Sequence, residues 1–585
     1  MNVLTPRRHG SSALEYVGIG GLRVDPKVSG HVAVPLVAGT LGSVLLVLGS
    51  FSVGWLASTS PINRWQWLIP YRTQESGVMI GTVLLTLGCW VMFWAWLRLG
   101  QVVRPFGGGA LRTVNIATVL WCLPQLAALP IFSRDIFAYV GQGRLMVAGQ
   151  DPYVDGISSL SNWFQLGTDA TWANDGTPYG PVFLWIEEAV VAATGPENPD
   201  LAIFLFRLAA VAGVILTMVF VPLLCRELHV NGAWAQWITS ANPLFIISFV
   251  ASGHNDALMV GLALAGTYCA LRAGRPRPGR ARMASVCWGV AGVVLATLSL
   301  GVKPITLVLL PFIGLLWAGP KAGWISRFVH WTVTAALALA IMLVVGHLNG
   351  FGFGWLSVML GTGTGTVPWS PIGILTSLTQ GLYGILDWDA SEVEGTFKTI
   401  GRVISVVVVL ILMFVGRQDR VLERMTWAFT ALVVLSPIIQ PWYLLWLLPF
   451  FAVIGLRDNW QIKWVVFTVG YFLAFGASDQ LFTWQFLDIA DEVVHLSLLV
   501  SAICLGWILV VDRKTSRFVK DDWHVRPALG ALLGRRTTTP PGLERAEADR
   551  MPDSAAPASA EATSAEATSA EATSAEATDE PGGGR

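Results

Sequence analysis

Residues 201–224 read LAIFLFRLAAVAGVILTMVFVPLL, twenty-four positions with a single charge, Arg207. At 1.5 Å per residue this stretch makes a helix about 36 Å long, enough to cross the roughly 30 Å apolar core of a bilayer. Comparable segments lie near 31–56, 77–97, 113–131, 200–224, 233–251, 257–271, 284–300, 304–318, 328–347, 397–416, 425–438, 441–456, 464–477 and 492–511. The fold class they imply is an all-α, polytopic integral-membrane bundle of about 14 transmembrane helices, or 12–14 if the shortest segments do not cross. Composition points the same way. The 585 residues are 54% hydrophobic and 13% charged, with a mean hydropathy of +0.58. A soluble chain carries roughly 25% charged residues, so a string of soluble domains is excluded.

The 38 basic and 38 acidic residues leave no cationic excess to neutralise a nucleic-acid backbone. The six cysteines (Cys89, Cys122, Cys225, Cys269, Cys287, Cys504) lie in or beside apolar segments and form no C-x-x-C pair, so neither a zinc site nor a disulfide framework is indicated. About thirty mixed residues precede the first apolar run, which is longer than the core of a cleaved signal.

Short loops rich in Lys and Arg stay on the cytoplasmic side. With the N-terminal tail inside and the segments alternating, inner loops hold sixteen Lys and Arg residues; outer loops hold only Arg64, Arg72, Arg134, Arg144 and Lys303. The expected protein is a multi-pass plasma-membrane chain with both termini cytoplasmic. Its divisions are a tail over 1–30, a membrane domain over 31–515 with outer loops 132–199 and 348–396, and a second tail over 516–585. From about 536 this second tail is low in complexity, with Ser-Ala-Glu-Ala-Thr repeated through 559–578, and disorder is expected there. Residues 182–194, carrying Glu187 and Glu188, are too short to cross; residues 368–386 are broken by Pro368, Pro371 and Gly373. Both read as interfacial helices on the outer face. The Gly-rich outer loop, with Gly361-Thr-Gly-Thr-Gly365, reads either as a movable cover or as a linker.

No Walker A sequence, H-E-x-x-H, Rossmann glycine fingerprint or G-x-S-x-G is present, which argues against an ATP-driven pump, a zinc protease and a serine hydrolase. Chemistry must come from polar residues at the outer helix ends. Ser133-Arg134-Asp135 precedes Tyr139; Asp135 reads either as a general base or as a helix cap. Gly253-His254-Asn255-Asp256 suits sugar hydroxyls, less readily a metal, and a cap would leave His254 unexplained. Arg207, Lys303, Lys398 and Arg402 are cations at or inside outer span ends, where they face a cavity, a partner or lipid head groups. Gln440-Pro441-Trp442-Tyr443 fits an aromatic belt or a carbohydrate surface. Acids and aromatics outside the bilayer, with bases at phosphate depth on the same side, suit an enzyme that takes a group from an outer-leaflet phospholipid carrier.

With Tyr179-Gly-Pro181, Gln150-Asp-Pro-Tyr153 and Val302-Lys-Pro304 added, these motifs resemble the polyprenol-phosphate-mannose-dependent α-(1→6)-mannosyltransferases, GT-C enzymes of lipomannan and lipoarabinomannan core biosynthesis in the cell envelope of mycolic-acid bacteria. The resemblance spans roughly 30–515 and implies a GT-C-type helix bundle and inverting transfer from a polyprenyl phosphate carrier to a glycolipid mannan acceptor. It implies Asp135 as the catalytic base, with Lys303, Arg402, Arg207 and Arg134 binding the donor phosphate. His254, Asn255, Asp256, Tyr139, Trp442, Tyr443 and Glu187 would bind sugar or acceptor, with no metal and no cofactor. Many GT-C members carry a paired acid in the first outer loop. Here Asp135 stands alone after Arg134, which leaves open whether Asp256 or Glu187 supplies a second carboxylate. The alternative is a secondary transporter or flippase for a sugar or lipid-linked sugar, although no repeat relates the two halves of the chain.

Overall fold

A computed structural model describes residues 29–103, 110–275, 282–361, 366–456, 460–479, 481 and 487–520. The chain divides into two units, Met1–Arg536 and Thr537–Arg585, and every described residue belongs to the first. The tail before residue 29, the repeat tail and positions 362–365 of the Gly-rich loop fall outside the described residues.

Every regular element among the described residues is helical. All fourteen apolar segments carry helix, and eight helices are long and apolar enough to cross a membrane: Val32–Val53, Glu75–Val103, Pro199–Leu228, Asp256–Gly274, Met283–Val302, Trp324–Leu348, Val393–Phe414 and Ala490–Val511. The protein is a polytopic membrane bundle.

The segment 233–251 departs from a single crossing helix. It divides into Gly232–Ile238, Pro243–Ile246 and a π-helical turn, Ile247–Ala251. Pro243 has no N–H to give and disfavours helical backbone at Asn242, which is extended; the Asn242 side chain accepts from Leu244 N at 2.9 Å and starts a new turn. Segment 304–318 likewise opens as the 3-10 turn Pro304–Leu309 before Leu310–Ala318. The two segments expected to be interfacial form the helices Pro181–Thr194 and Pro371–Ile385, each with proline at its first turn.

Between apolar helices in lipid, the hydrophobic effect offers little, and small residues let backbones approach. Helices Ser29–Val53 and Glu75–Val103 meet at Gly42, Gly49, Gly81 and Gly88; a Cβ on Gly49 would lie 2.5 Å from Leu85 N, and one on Gly88 2.5 Å from Leu46 N. The same device places the helix that opens the candidate site. Asp256–Gly274 crosses Pro199–Leu228 at Gly213, where a Cβ would come within 2.1 Å of the Ala257 carbonyl carbon, and crosses Arg282–Val302 at Gly266 and Gly292. Gly213→Val must therefore push this helix away. Overpacking at a helix crossing costs about 1–3 kcal/mol, so thermal unfolding in detergent should begin at lower temperature than for wild type.

Candidate active site

Four short segments converge at one end of the bundle, and each is turned by a local feature of its sequence. Phe132 takes a left-handed backbone (φ 63°) just ahead of helix Asp135–Val147, which begins at Asp135. Gly253 (φ 71°) turns the chain between the π-helical turn and helix Asp256–Gly274; a Cβ there would sit 2.3 Å from Ile136 Cδ1. Pro304 holds Lys303 extended, ending helix Arg282–Val302 and swinging the lysine off its axis. Gln440 is extended before Pro441 in the same way, and the 3-10 turn Pro441–Tyr443 leads into helix Leu444–Ile454.

Backbone contacts stitch these segments together. Asn255 N donates to Tyr139 Oη at 3.3 Å, Ser252 Oγ donates to Ile131 O at 2.6 Å, and Gly180 N donates to Val302 O at 3.0 Å. Buried Arg207 donates through Nε to Ala251 O at 3.1 Å and through Nη1 to Leu126 O at 3.3 Å. Its charge thus sits at the carbonyl end of the π-helical turn, the negative end of that element, and pins the approach to both the Asp135 and the Gly253 segments.

The side chains brought together are Asp135, His254, Asp256 and Lys303. His254 Nδ1 lies 3.5 Å from Asp135 Oδ2 and 3.7 Å from Asp256 Oδ2, and Lys303 Nζ donates to Asp256 Oδ1 at 2.8 Å. Asp256 and His254 are buried, whereas Asp135 keeps 19% of its side-chain surface exposed and forms the rim. The His254 ring stacks on Trp442 with centroids 4.0 Å apart. Lys303 Nζ is ringed by aromatic faces, 4.9 Å from Trp446, 5.4 Å from Tyr443 and 5.6 Å from Tyr179. Burial is the largest influence on Lys303 and disfavours its charge, but Asp256, Tyr443 and Asp135 together outweigh it and raise the lysine's pKa. For His254, burial prevails over the two carboxylates and lowers the imidazole's pKa.

Capping does not account for the polar residues here. The Asn255 side chain makes no cap bond, and among the described residues its Oδ1 and Nδ2 are buried without a hydrogen-bond partner, as are both His254 ring nitrogens, Asp256 Oδ2 and the indole N–H of Trp442 and Trp446. Buried polar atoms are normally satisfied. So many unmatched donors and acceptors in one place suit a polar ligand.

The remaining candidates are placed differently. Arg134 donates to Gly167 O, Thr168 O and Asp169, and lies 4.4 Å over the Trp55 ring, so it braces the loop at 167–169. Arg207 serves backbone carbonyls, as above. Arg402 is exposed on helix Val393–Phe414, which packs on Pro371–Ile385 and Val421–Val434; on the same helix Lys398 pairs with Glu394 at 2.7 Å. Glu187 is fully buried with neither carboxylate oxygen hydrogen-bonded, and burial holds its pKa well above the ordinary value. Two cage members, Tyr179 and Trp446, were not among the expected site residues. Their signals were the Tyr179-Gly-Pro181 corner and the i,i+3 spacing of Trp446 from Tyr443, with which it stacks at 3.8 Å. Among the described residues no group of three His, Cys, Asp or Glu side chains is arranged to hold a metal ion.

Residues 36–319 match the family model described as Alpha-(1->6)-mannopyranosyltransferase, N-terminal domain, and residues 370–506 match the MptB C-terminal domain. The chain belongs to the alpha-(1->6)-mannopyranosyltransferase family. It is 32% identical to a probable alpha-(1->6)-mannopyranosyltransferase of Mycolicibacterium smegmatis, over 79% of this chain and 87% of that protein. A Mycobacterium tuberculosis alpha-(1->6)-mannopyranosyltransferase is 31% identical over 80% of this chain and 86% of its own length. For alpha-(1->6)-mannopyranosyltransferase B of Corynebacterium glutamicum, identity is 25% over 70% and 71%. No solved structure matches. Both matched regions contribute to the cluster, since Asp135, His254, Asp256 and Lys303 lie in the first and Trp442, Tyr443 and Trp446 in the second.

Glu187 gives a test of the buried carboxyl. A carboxyl whose pKa is raised on folding holds its proton in the native state longer than in the unfolded chain. Stability therefore falls as pH climbs from the unfolded value towards the folded one. Glu187→Gln removes that loss. Its thermal stability should match wild type near pH 4 and exceed it increasingly as the pH of the unfolding experiment is raised.

Proposed function

We propose that this protein is a mannosyltransferase that moves mannose from polyprenyl phosphate mannose in the outer leaflet to the end of an α-(1→6)-mannan glycolipid of lipomannan type, with inversion at C1. The observation that carries the reading is the juxtaposition of a rim carboxylate, Asp135, with a caged ammonium, Lys303, across His254 and Asp256. Family membership supports the sugar and the linkage. Support for an outer-face site comes from the Lys and Arg asymmetry of the loops, which also favours about fourteen crossings with cytoplasmic termini; the motif resemblance supports a GT-C-type bundle in the plasma membrane.

In the proposed step Asp135 takes the proton of the attacking acceptor hydroxyl. The new bond joins the acceptor oxygen to C1; the C1–O bond to phosphate breaks, and its electron pair leaves with the polyprenyl phosphate. Lys303 spends one of its three N–H donors on Asp256, leaving the others to meet the charge that grows on the leaving phosphate. The faces of Tyr179, Tyr443 and Trp446 exclude water around it, and Asn255 and Trp442 offer polar atoms to sugar hydroxyls. Arg134 and Arg207 act by positioning the loops rather than by touching phosphate.

The test uses the full chain in membranes, labelled polyprenyl phosphate mannose and a short α-(1→6)-mannoside. Wild type transfers the label. Asp135→Asn loses about 10²- to 10⁴-fold in turnover with donor binding kept, and Lys303→Met loses about 10²- to 10³-fold. Movement of intact donor across the bilayer without transfer would replace this reading with a transporter.

A further inference from the structure

Proton removal from the acceptor is productive only when a donor is bound, so a base whose strength follows donor binding would suit the reaction proposed above. The cluster contains a physical link between the two ends. His254 Nδ1 faces two carboxylates at once, 3.5 Å from Asp135 and 3.7 Å from Asp256, and Asp256 in turn is held by Lys303 at 2.8 Å. Neither His254 contact is a closed hydrogen bond, so a displacement of a few tenths of an ångström commits the Nδ1–H to one oxygen or the other. The ring is held in this intermediate place by its stack on Trp442, at 4.0 Å, and by the burial of its loop. Its other nitrogen, Nε2, has no hydrogen-bond partner among the described residues.

We infer that His254 is a positioning residue whose single Nδ1–H, shared between Asp135 and Asp256, makes the strength of the base depend on whether Lys303 is engaged by the donor phosphate. This inference rests on the function proposed above. In the resting site Lys303 neutralises Asp256, and Asp135 competes well for the shared N–H. When an anionic phosphodiester draws the ammonium towards itself, Asp256 loses part of its compensation and becomes the stronger acceptor. The Nδ1–H moves to Asp256, and Asp135, relieved of its donor, takes a proton from the acceptor hydroxyl more readily. No oxidant or second reactant is involved; one hydrogen bond is exchanged for another. The other polar groups facing this loop are Tyr139, which accepts from Asn255 N, and Tyr179 and Tyr443 around Lys303. Arg207 is bound to the Ala251 carbonyl below, and Glu187 lies buried beyond Tyr179. Of all these groups, only Asp135, Asp256 and Lys303 join His254 in the chain of contacts.

Two variants separate the donor from the ring. His254→Phe keeps a flat ring against Trp442 and removes the Nδ1–H, whereas His254→Asn places an amide N–H near the Nδ1 position and removes the ring. The measurement is the pH profile of mannosyl transfer by the full chain in membranes, taken both as kcat and as kcat/KM for polyprenyl phosphate mannose. For wild type, the acid limb of kcat, where donor is bound, should lie at higher pH than that of kcat/KM. In His254→Phe the kcat/KM limb should move up by about one pH unit, the size of one hydrogen bond to a charged group, and the gap between the two limbs should narrow. His254→Asn should keep both limbs near those of wild type even if its overall rate is lower. Limbs unmoved in His254→Phe, or moved equally in both variants, would overturn the inference while leaving the transferase intact. Absence of transfer by wild type at every pH would overturn both.

Discussion

A cation placed among indole and phenol faces, away from water, is strongly disfavoured unless a carboxylate meets it. Lys303 Nζ at 2.8 Å from Asp256 Oδ1 satisfies that condition, and the surrounding architecture serves to keep the two residues in register. They lie on different elements, one opening helix Asp256–Gly274 and the other ending helix Arg282–Val302. The glycine crossing at Gly266 and Gly292 sets the distance between those helices. The Gly180–Val302 hydrogen bond then brings Tyr179 over the lysine.

Arg207 and Lys303 give the same signal in the sequence, a cation near the end of an apolar span, yet they take opposite kinds of partner. A guanidinium can satisfy itself on backbone carbonyls, and Arg207 does so at Ala251 and Leu126, fixing the turn on which His254 stands. An ammonium is a compact charge with freely rotating donors; with one committed to Asp256, Lys303 remains able to meet a phosphate. The planar cation is spent on several backbone acceptors, whereas the point charge is committed to one carboxylate. Arg134 is of the first kind, bound by the three residues at 167–169 and covered by Trp55.

The aromatic residues divide in a similar way. Tryptophans and tyrosines at the outer ends of spans are ordinary in a membrane protein. Trp442, Tyr443 and Trp446 differ because the proline at 441 starts a helix whose first turn aims all three inward, onto His254 and Lys303. Here the C-terminal region meets residues contributed by the N-terminal one. A site assembled across both matched regions gives neither region a complete set of groups by itself.

Much of this was legible in the residues alone. Apolar length fixes a membrane bundle, because roughly twenty uncharged residues have no other low-energy environment than lipid or a buried core. Proline and glycine mark where Lys303, Gly253 and Trp442 leave regular helix, since their backbone limits are local. That the Asp135, His254, Lys303 and Trp442 motifs fall at the ends of helices followed from the span order. What the residues could not decide was which partner each charge chooses. That Arg207 bonds carbonyls, that Glu187 is sealed without a partner, that Arg402 stands exposed on a peripheral helix, and that Tyr179 and Trp446 complete the cage all depend on contacts between elements far apart in the chain. The segment 233–251 shows the same division. Its apolarity announced a crossing helix, but the break at Asn242-Pro243 and the π-helical turn beyond it exist because the chain must bend there to present Gly253–Asp256 to helix Asp135–Val147. Local propensity is written in neighbouring residues, whereas pairing is settled by helix packing, which brings together groups that the sequence keeps on separate elements, 44 residues apart for Arg207 and Ala251 and 47 for Lys303 and Asp256.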